Sequence, residues 1–463
     1  MLLAFLSLIF RRALSSPLSH LPGPWYSIFT DVVLTYHWLT GRRAVYVHKL
    51  HETYGPVVRI APYHADFINL SAKKQIYSVK ETYVKSSWYR AMAPPGTESM
   101  FSTTNVEFHR RHRRLLSTGM TETNLKTVEP YVRERVELCV QRMEEEADAL
   151  GVVDVYKWFS FLTADVIGGL SYGDSFHMLE TGKKSKYIEY VEAAAWVMSL
   201  RPHFAWLIKM ARHLPIPRMA EIASMTPYMR KYAIDTLQNY RKQVEEDPFG
   251  VRPSLFTKML IANDEEKLDL NEIRDDAGVT LAYLVWAVAG NPDIRDKLVK
   301  ELETVPQYFT HRDVIDLPYL NQVIDETLRL YAPLPGPLPR AVPKEGAQFG
   351  DYMLPGGVAV SCQAHSMNRD PVIYPDPERF DPSRWANPTK EMKDAIMTWG
   401  GGSRICIGMH LARMELRLAT ARFFKTFPRA VQSSTDGMSD ADMELEAYFI
   451  SYPTGKRTLI EVR

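Results

Sequence analysis

Prolines at positions 333, 335, 337, 339 and 343 divide this 463-residue chain into two textures. Each proline fixes its own φ, removes a backbone donor and pushes the preceding residue out of the helical region. No helix can run through that stretch, so the chain from Pro333 to about Val360 must be extended. Prolines at 371, 375, 377 and 382 make a second irregular stretch. Ahead of the break the pattern is helical, with apolar residues at three- and four-residue spacing from about Lys126 to Tyr240. Residues 244–271 read as a loop. Leu270 to Asn291 reads as one helix stopped at Asn291-Pro292, Asp293 to about Leu302 as the next, and Pro318 to Tyr331 as a third. Short strands are expected at Val57-Val58-Arg59-Ile60 and Phe67-Ile68-Asn69-Leu70. After the break, a Gly-rich turn at 400–402 leads into a helix from about Gly408 to Phe424. Met443 to Val462 alternates around Pro453-Thr454-Gly455 like a hairpin. The expected fold class is mostly α with a smaller β component (α+β), and no shift in composition marks a second domain.

Charge and cysteine usage narrow the function. Lys and Arg number 56 against 55 Asp and Glu, a net charge of +1, which argues against a nucleic-acid partner held by counterion release. Three cysteines, at 139, 362 and 406, are too few and too odd for a disulfide framework and point to a reducing compartment. Residues 1–10, MLLAFLSLIF, carry no charge and are followed at once by Arg11 and Arg12. A transmembrane helix needs about 20 apolar residues, so this run is half a span. With its charge after the apolar run it reads as a short membrane anchor, leaving the rest on the cytoplasmic side. Leu21-Pro22-Gly23-Pro24 then forms a stiff elbow, dividing an anchor at 1–20 from a globular body at 21–463.

The chemistry gathers at Trp399-Gly400-Gly401-Gly402-Ser403-Arg404-Ile405-Cys406-Ile407-Gly408. The glycines do not make a phosphate cradle, because no Lys-Ser/Thr follows and no βαβ unit precedes. A lone cysteine is most often buried and inert. Cys406 differs in its surroundings. It stands at the mouth of a helix, where the dipole and unpaired N–H groups favour a thiolate. Glycines on both sides let a flat, bulky group approach the sulfur, and Arg404 can reach an anionic edge of that group. These are the requirements of an axial haem ligand.

The run resembles the haem-binding signature of the cytochrome P-450 family, Phe-x-x-Gly-x-Arg-x-Cys-x-Gly, with Trp399 in place of the Phe. Glu326-Thr327-Leu328-Arg329 is similar to the family's Glu-x-x-Arg pair, and Pro377-Glu378-Arg379-Phe380 to the run whose Arg completes it as a buried triad. The resemblance implies a single haem-thiolate domain, with haem b between a long central helix and the helix after Cys406. It implies that His109, Arg113 and Arg340, like Arg404, contact the haem propionates. It also implies a monooxygenase on the endoplasmic reticulum membrane that hydroxylates an apolar small molecule with O2. Electrons would come from an NADPH–cytochrome reductase. Leu21 to Tyr26 and Lys85 to Arg90 most resemble secondary-metabolite enzymes of filamentous fungi.

One motif breaks. The family's central helix carries Ala/Gly-Gly-x-Asp/Glu-Thr-Thr/Ser, whose acid and alcohol help deliver protons. Here Glu272 to Leu281 lacks it, and about a dozen residues are missing, roughly three turns or ~18 Å of helix. Counting back from Leu281 puts Asp275 where the family has its acid and Asp276 where it has its threonine; both fit equally the first turn of a shortened helix, favoured there by its dipole. Two other functions fit such a break: a reductase-independent haem-thiolate isomerase or dehydratase, and a non-catalytic isoform with a truncated central helix.

Overall fold

The computed structural model describes residues 16–94, 97–211, 217–247 and 277–462. The anchor run at 1–12, most of the loop expected at 244–271, and both Asp275 and Asp276 lie outside the described residues. No helix among the described residues is long and apolar enough to cross a membrane.

Nine helices suffice to place the site: α1 (Arg43–Tyr54), α2 (Ser87–Met92), α3 (Val106–Gly119), α4 (Glu122–Leu150), α5 (Val155–Tyr172), α6 (Ala277–Ala289), α7 (Pro292–Leu302), α8 (Pro318–Leu330) and α9 (Met409–Thr426). The largest core lies where α4, α5, α6 and α9 meet, with Val136, Phe159, Leu162, Leu284, Val288 and Phe423 inaccessible or nearly so. Each such side chain contributes about 1.5–3 kcal/mol relative to leaving it exposed. α6 is apolar on every side because it is buried on every side. Its Gly278 lies against α5 so closely that a Cβ there would sit 2.6 Å from the Phe159 carbonyl oxygen. Both proline-led helices, α7 and α8, begin at Pro292 and Pro318.

The sheet component is small. Strands β1 (Val57–Ala61), β2 (His64–Phe67), β3 (Arg340–Ala341) and β4 (Ala359–Ser361) form a four-stranded sheet in the order β1-β2-β4-β3. The Pro-rich segment therefore becomes extended chain and sheet edge. The second strand falls earlier than its sequence suggests. Asn69 accepts a hydrogen bond from the Ala72 N–H at 2.7 Å, which caps a helix at Leu70–Ile76 and ends the strand before it. The carboxyl-terminal hairpin also shifts. β5 (Leu445–Ala447) pairs with β6 (Ser451–Pro453) around Tyr448-Phe449-Ile450, not around residues 453–455. Leu459–Glu461 pairs instead with Val153–Asp154 and Val431–Gln432. At the other end, the Arg59 guanidinium binds the Leu18, Leu21 and Pro24 carbonyls, fixing the Pro-Gly-Pro elbow against β1.

α8 carries the buried acid of the scaffold. Glu326 and Arg329 have wholly inaccessible side chains and pair through two hydrogen bonds, at 2.9 and 2.8 Å. The third member of this cluster is Arg384, whose Nε lies 2.9 Å from Glu326 Oε1. This corrects the assignment of Arg379. Arg379 points to solvent and offers only its carbonyl, 3.2 Å from Arg329 Nη2. A turn at Asp376, with φ of 49°, carries the 377–380 run past Glu326. The 3-10 turn Pro382–Trp385 then brings Arg384 and the Trp385 indole back to the carboxylate.

Removing one partner of a buried ion pair costs roughly 3–5 kcal/mol, because the other is left uncompensated. Glu326→Ala is therefore expected to lower stability by that amount, and Arg384→Ala to lower it in the same direction. Arg379→Ala should stay within about 0.5 kcal/mol of the parent, as exposed positions do. Urea denaturation midpoints of the three variants check this. A larger loss from Arg379→Ala than from Arg384→Ala would restore the sequence assignment.

Candidate active site

The Cys406 loop is built by glycine. Gly400 and Gly402 hold φ of 75° and 61°, conformations that L side chains rarely adopt. At Gly402 a Cβ would also meet the Tyr77 carbonyl oxygen at 2.4 Å, so the loop lies directly on the backbone at Tyr77-Ser78. The Gly400 N–H donates to the Met397 carbonyl at 2.8 Å, and the Cys406 N–H donates to the Trp399 carbonyl at 2.9 Å. α9 starts at Met409 with Gly408 as its cap, which leaves Cys406 just ahead of the positive end of the helix. The Cys406 residue is exposed, and a Cβ on Gly408 would meet no protein atom within 4 Å. A flat group can reach the sulfur from that side.

The other two cysteines are placed differently. Cys139 and Cys362 are completely buried, and burial pushes both thiols well above the usual range. Cys362 is held through its backbone: its N–H meets the Tyr77 hydroxyl at 2.9 Å. Both are inert packing residues.

Around the loop the structure gathers the expected cations. Burial, then Arg404, Lys85, Arg113 and Arg340 in that order, push the His109 imidazole down to about 3. His109 on α3 is 3% exposed, and its Nδ1 is buried without a partner among the described residues. Arg113, one turn later, donates from Nη1 to the Ile405 carbonyl at 2.7 Å and so clamps the residue before Cys406. Arg340 on β3 donates to the Tyr89 hydroxyl at 3.2 Å and lies over the Tyr77 ring. Arg404 pairs through Nε with Glu81 at 3.0 Å, while its Nη1 is buried without a partner among the described residues. Glu81 and Tyr77 were not singled out in the sequence. Glu81 holds φ of 53° in an irregular stretch, and no local pattern marks either residue.

Four cations and a buried neutral histidine beside a single paired carboxylate give the site a positive balance, and among the described residues His109 Nδ1 and Arg404 Nη1 have no acceptor. The residues present fit a bulky group with a strongly anionic edge, approached on one side by the Cys406 sulfur. From the described part of the central helix, Thr280 contributes a buried hydroxyl without a partner among the described residues. No carboxyl lies within Ala277–Ala289.

Such an arrangement defines a haem-thiolate protein. The comparisons with known proteins agree: the profile of the Cytochrome P450 family matches residues 21–447. Cytochrome P450 monooxygenase tazI of Aspergillus terreus is 45% identical, over 97% of this chain and 95% of its own. Cytochrome P450 monooxygenase orf2 of Aspergillus niger is 37% identical, over 98% and 95%. Tryprostatin B 6-hydroxylase of Neosartorya fischeri is 29% identical, over 94% and 80%. The chain belongs to the cytochrome P450 family, and is an oxygen-incorporating oxidoreductase whose cofactor is haem b with an axial cysteine thiolate.

His109 gives the site a pH signature. An unfolded histidine takes up a proton near 6.5, while the folded one refuses it until about 3. Stability attached to this group is therefore complete above about pH 6.5 and falls as the pH drops toward 3. Against His109→Gln, haem-stripped parent protein should lose up to about 1.4 kcal/mol per pH unit in that window. Denaturation at pH 7, 6 and 5 measures it. Haem loading should flatten the slope, because an anionic edge offsets the cations. Parallel profiles for parent and variant would contradict the assignment.

Proposed function

We propose that Cys406 ligates the haem iron and that His109, Arg113, Arg340 and Arg404 hold the propionates. We further propose that the chain hydroxylates an apolar small molecule of secondary metabolism with O2 and electrons from an NADPH-dependent reductase. The observation that carries this reading is the exposed Cys406 on a glycine-built loop, set against two cysteines sealed in the core. The kind of reaction follows its relatives, one of which is by its name a 6-hydroxylase of tryprostatin B.

Bound haem supplies electron-transfer and dioxygen chemistry that no side chain provides. The chain's own residues do the rest. Arg113 and Cys406 attract each other electrostatically, so the arginine that fixes the Ile405 carbonyl also favours the thiolate. The Trp399 carbonyl and the Cys406 N–H fix the direction in which the sulfur leaves the loop. The apolar walls of α5 and α6 exclude water from the neighbouring core. On the exposed side of α3, Arg110 pairs with Glu81 at 3.2 Å yet stays half exposed, and it suits an acidic electron-transfer partner. Residues 1–12 complete the reading as a shallow anchor on the cytoplasmic face of the endoplasmic reticulum.

Reduced, carbon monoxide-treated protein should show the red-shifted Soret band of a thiolate complex. Cys406→Ser should lose that band, whereas Cys139→Ser and Cys362→Ser should keep it. A band that survives in Cys406→Ser sinks the ligand assignment. Turnover should require both NADPH and reductase; product formed without them would make the chain an isomerase or dehydratase instead.

A further inference from the structure

The Pro-rich segment borders the Cys406 loop at Leu338, whose Cδ1 is 3.6 Å from where a Cβ on Gly400 would stand. Leu338 also lines a narrow cleft, together with Trp38, Arg43, Trp88, Tyr448 and Phe449. Besides the Pro-rich segment, four parts of the chain meet there: the helix Val32–Leu39 with Trp38, the start of α1, helix α2, and the turn between β5 and β6. The Trp38 indole N–H donates to the Tyr448 carbonyl, which ties that turn to the cleft wall.

Arg43 is the unusual group in this cleft. It is 6% exposed, and its guanidinium stands 5.0 Å from the Trp38 ring centre and 5.6 Å from that of Trp88. Among the described residues it makes no hydrogen bond, and no carboxylate lies within ion-pair distance. Asp66 and Asp31 act on it only at longer range. Asp66 is already engaged by His51, at 3.0 Å, and by the Ser361 hydroxyl, and Asp31 faces His203 at 3.8 Å. Arg43 Nε and Trp88 Nε1 are both buried without an acceptor among the described residues. Attraction to two indoles offsets only part of the cost of burying a charge. Two donors without acceptors on one aromatic-walled cleft make a built site for an acidic oxygen group. The cleft admits one such group rather than a whole ring system.

We infer that Arg43 and the Trp88 indole N–H anchor a carboxylate or phenolate on an aromatic substrate whose remainder extends toward Cys406. This rests on the function proposed above and refines its substrate: an otherwise apolar molecule that carries one acidic oxygen group. The acidic group alone enters the cleft, the adjoining ring stays at its mouth, and Arg43 acts as a specificity determinant away from the reacting atoms.

Calorimetric titration of the full-length, haem-loaded protein at pH 7.5 with 2-naphthoate and with its methyl ester tests the inference. The acid should bind at least tenfold more tightly than the ester. Arg43→Met should abolish that preference, and Arg43→Lys should keep part of it. Trp88→Phe, which retains a ring and removes the N–H, should weaken the acid several-fold and leave the ester unchanged. It also keeps the test open if Arg43→Met does not fold. Equal affinities for acid and ester in the parent, no binding of either, or a preference that survives Arg43→Met overturns the inference. The same samples report the carbon monoxide band. A missing band with an intact acid preference counts against the Cys406 reading alone, and a normal band with no preference counts against the anion site alone.

Discussion

Five donors converge on the Glu326 carboxylate: Arg329 twice, at 2.9 and 2.8 Å, and the Asp381 N–H, Arg384 Nε and Trp385 Nε1, each at 2.9 Å. A carboxylate with no solvent access stays ionised only when its lone pairs are met in this way. The cluster reaches the Cys406 loop through Asn368. Arg329 Nη1 donates to the Asn368 carbonyl at 2.8 Å, and the Asn368 amide donates back to the Arg329 carbonyl at 2.9 Å and to the Thr398 hydroxyl at 3.2 Å. The Met397 N–H returns to Asn368 Oδ1 at 3.1 Å, and Thr398 donates to the Leu328 carbonyl at 2.7 Å. One buried charge thus fixes the first residues of the loop that presents the thiol. Its contribution lies in uniqueness of position more than in net stability.

Elsewhere the protein leaves charge unanswered. Among the described residues, His109 Nδ1 and Arg404 Nη1 lack acceptors beside the Cys406 loop, and Arg43 Nε and Trp88 Nε1 lack them in the aromatic cleft. The contrast is with Glu326, whose oxygens are met by five donors. Both places carry buried donors beside positive charge, and so both suit an anion.

Much of this was legible in the sequence. Helical periodicity placed α4 and α5, Pro318 placed the start of α8, α7 begins one residue before its expected start at Asp293, and glycines around Cys406 announced a turn. What escaped was fixed by distant contacts. Arg379 and Arg384 stand in similar Pro-x-Arg-aromatic settings, and only the turn at Asp376 and the 3-10 turn at Pro382–Trp385 decide which meets Glu326. Asn368 lies in no motif, because its role comes from two segments that it joins across the fold. The hairpin register failed for a similar reason: Pro453 closes the pairing with Leu445, and the following turn is held by Glu444 and Asp442 backbone carbonyls.

Hydrogen exchange at the Gly400 and Cys406 amides tests most directly whether the Glu326 cluster holds the thiol loop. These amides are bonded to the Met397 and Trp399 carbonyls, at the end of the relay through Asn368. In Asn368→Ala both should lose protection together, while amides in the middle of α5 exchange as in the parent. Unchanged protection at Gly400 and Cys406 in that variant would show that the loop stands on its glycines alone, with no support from the buried carboxylate.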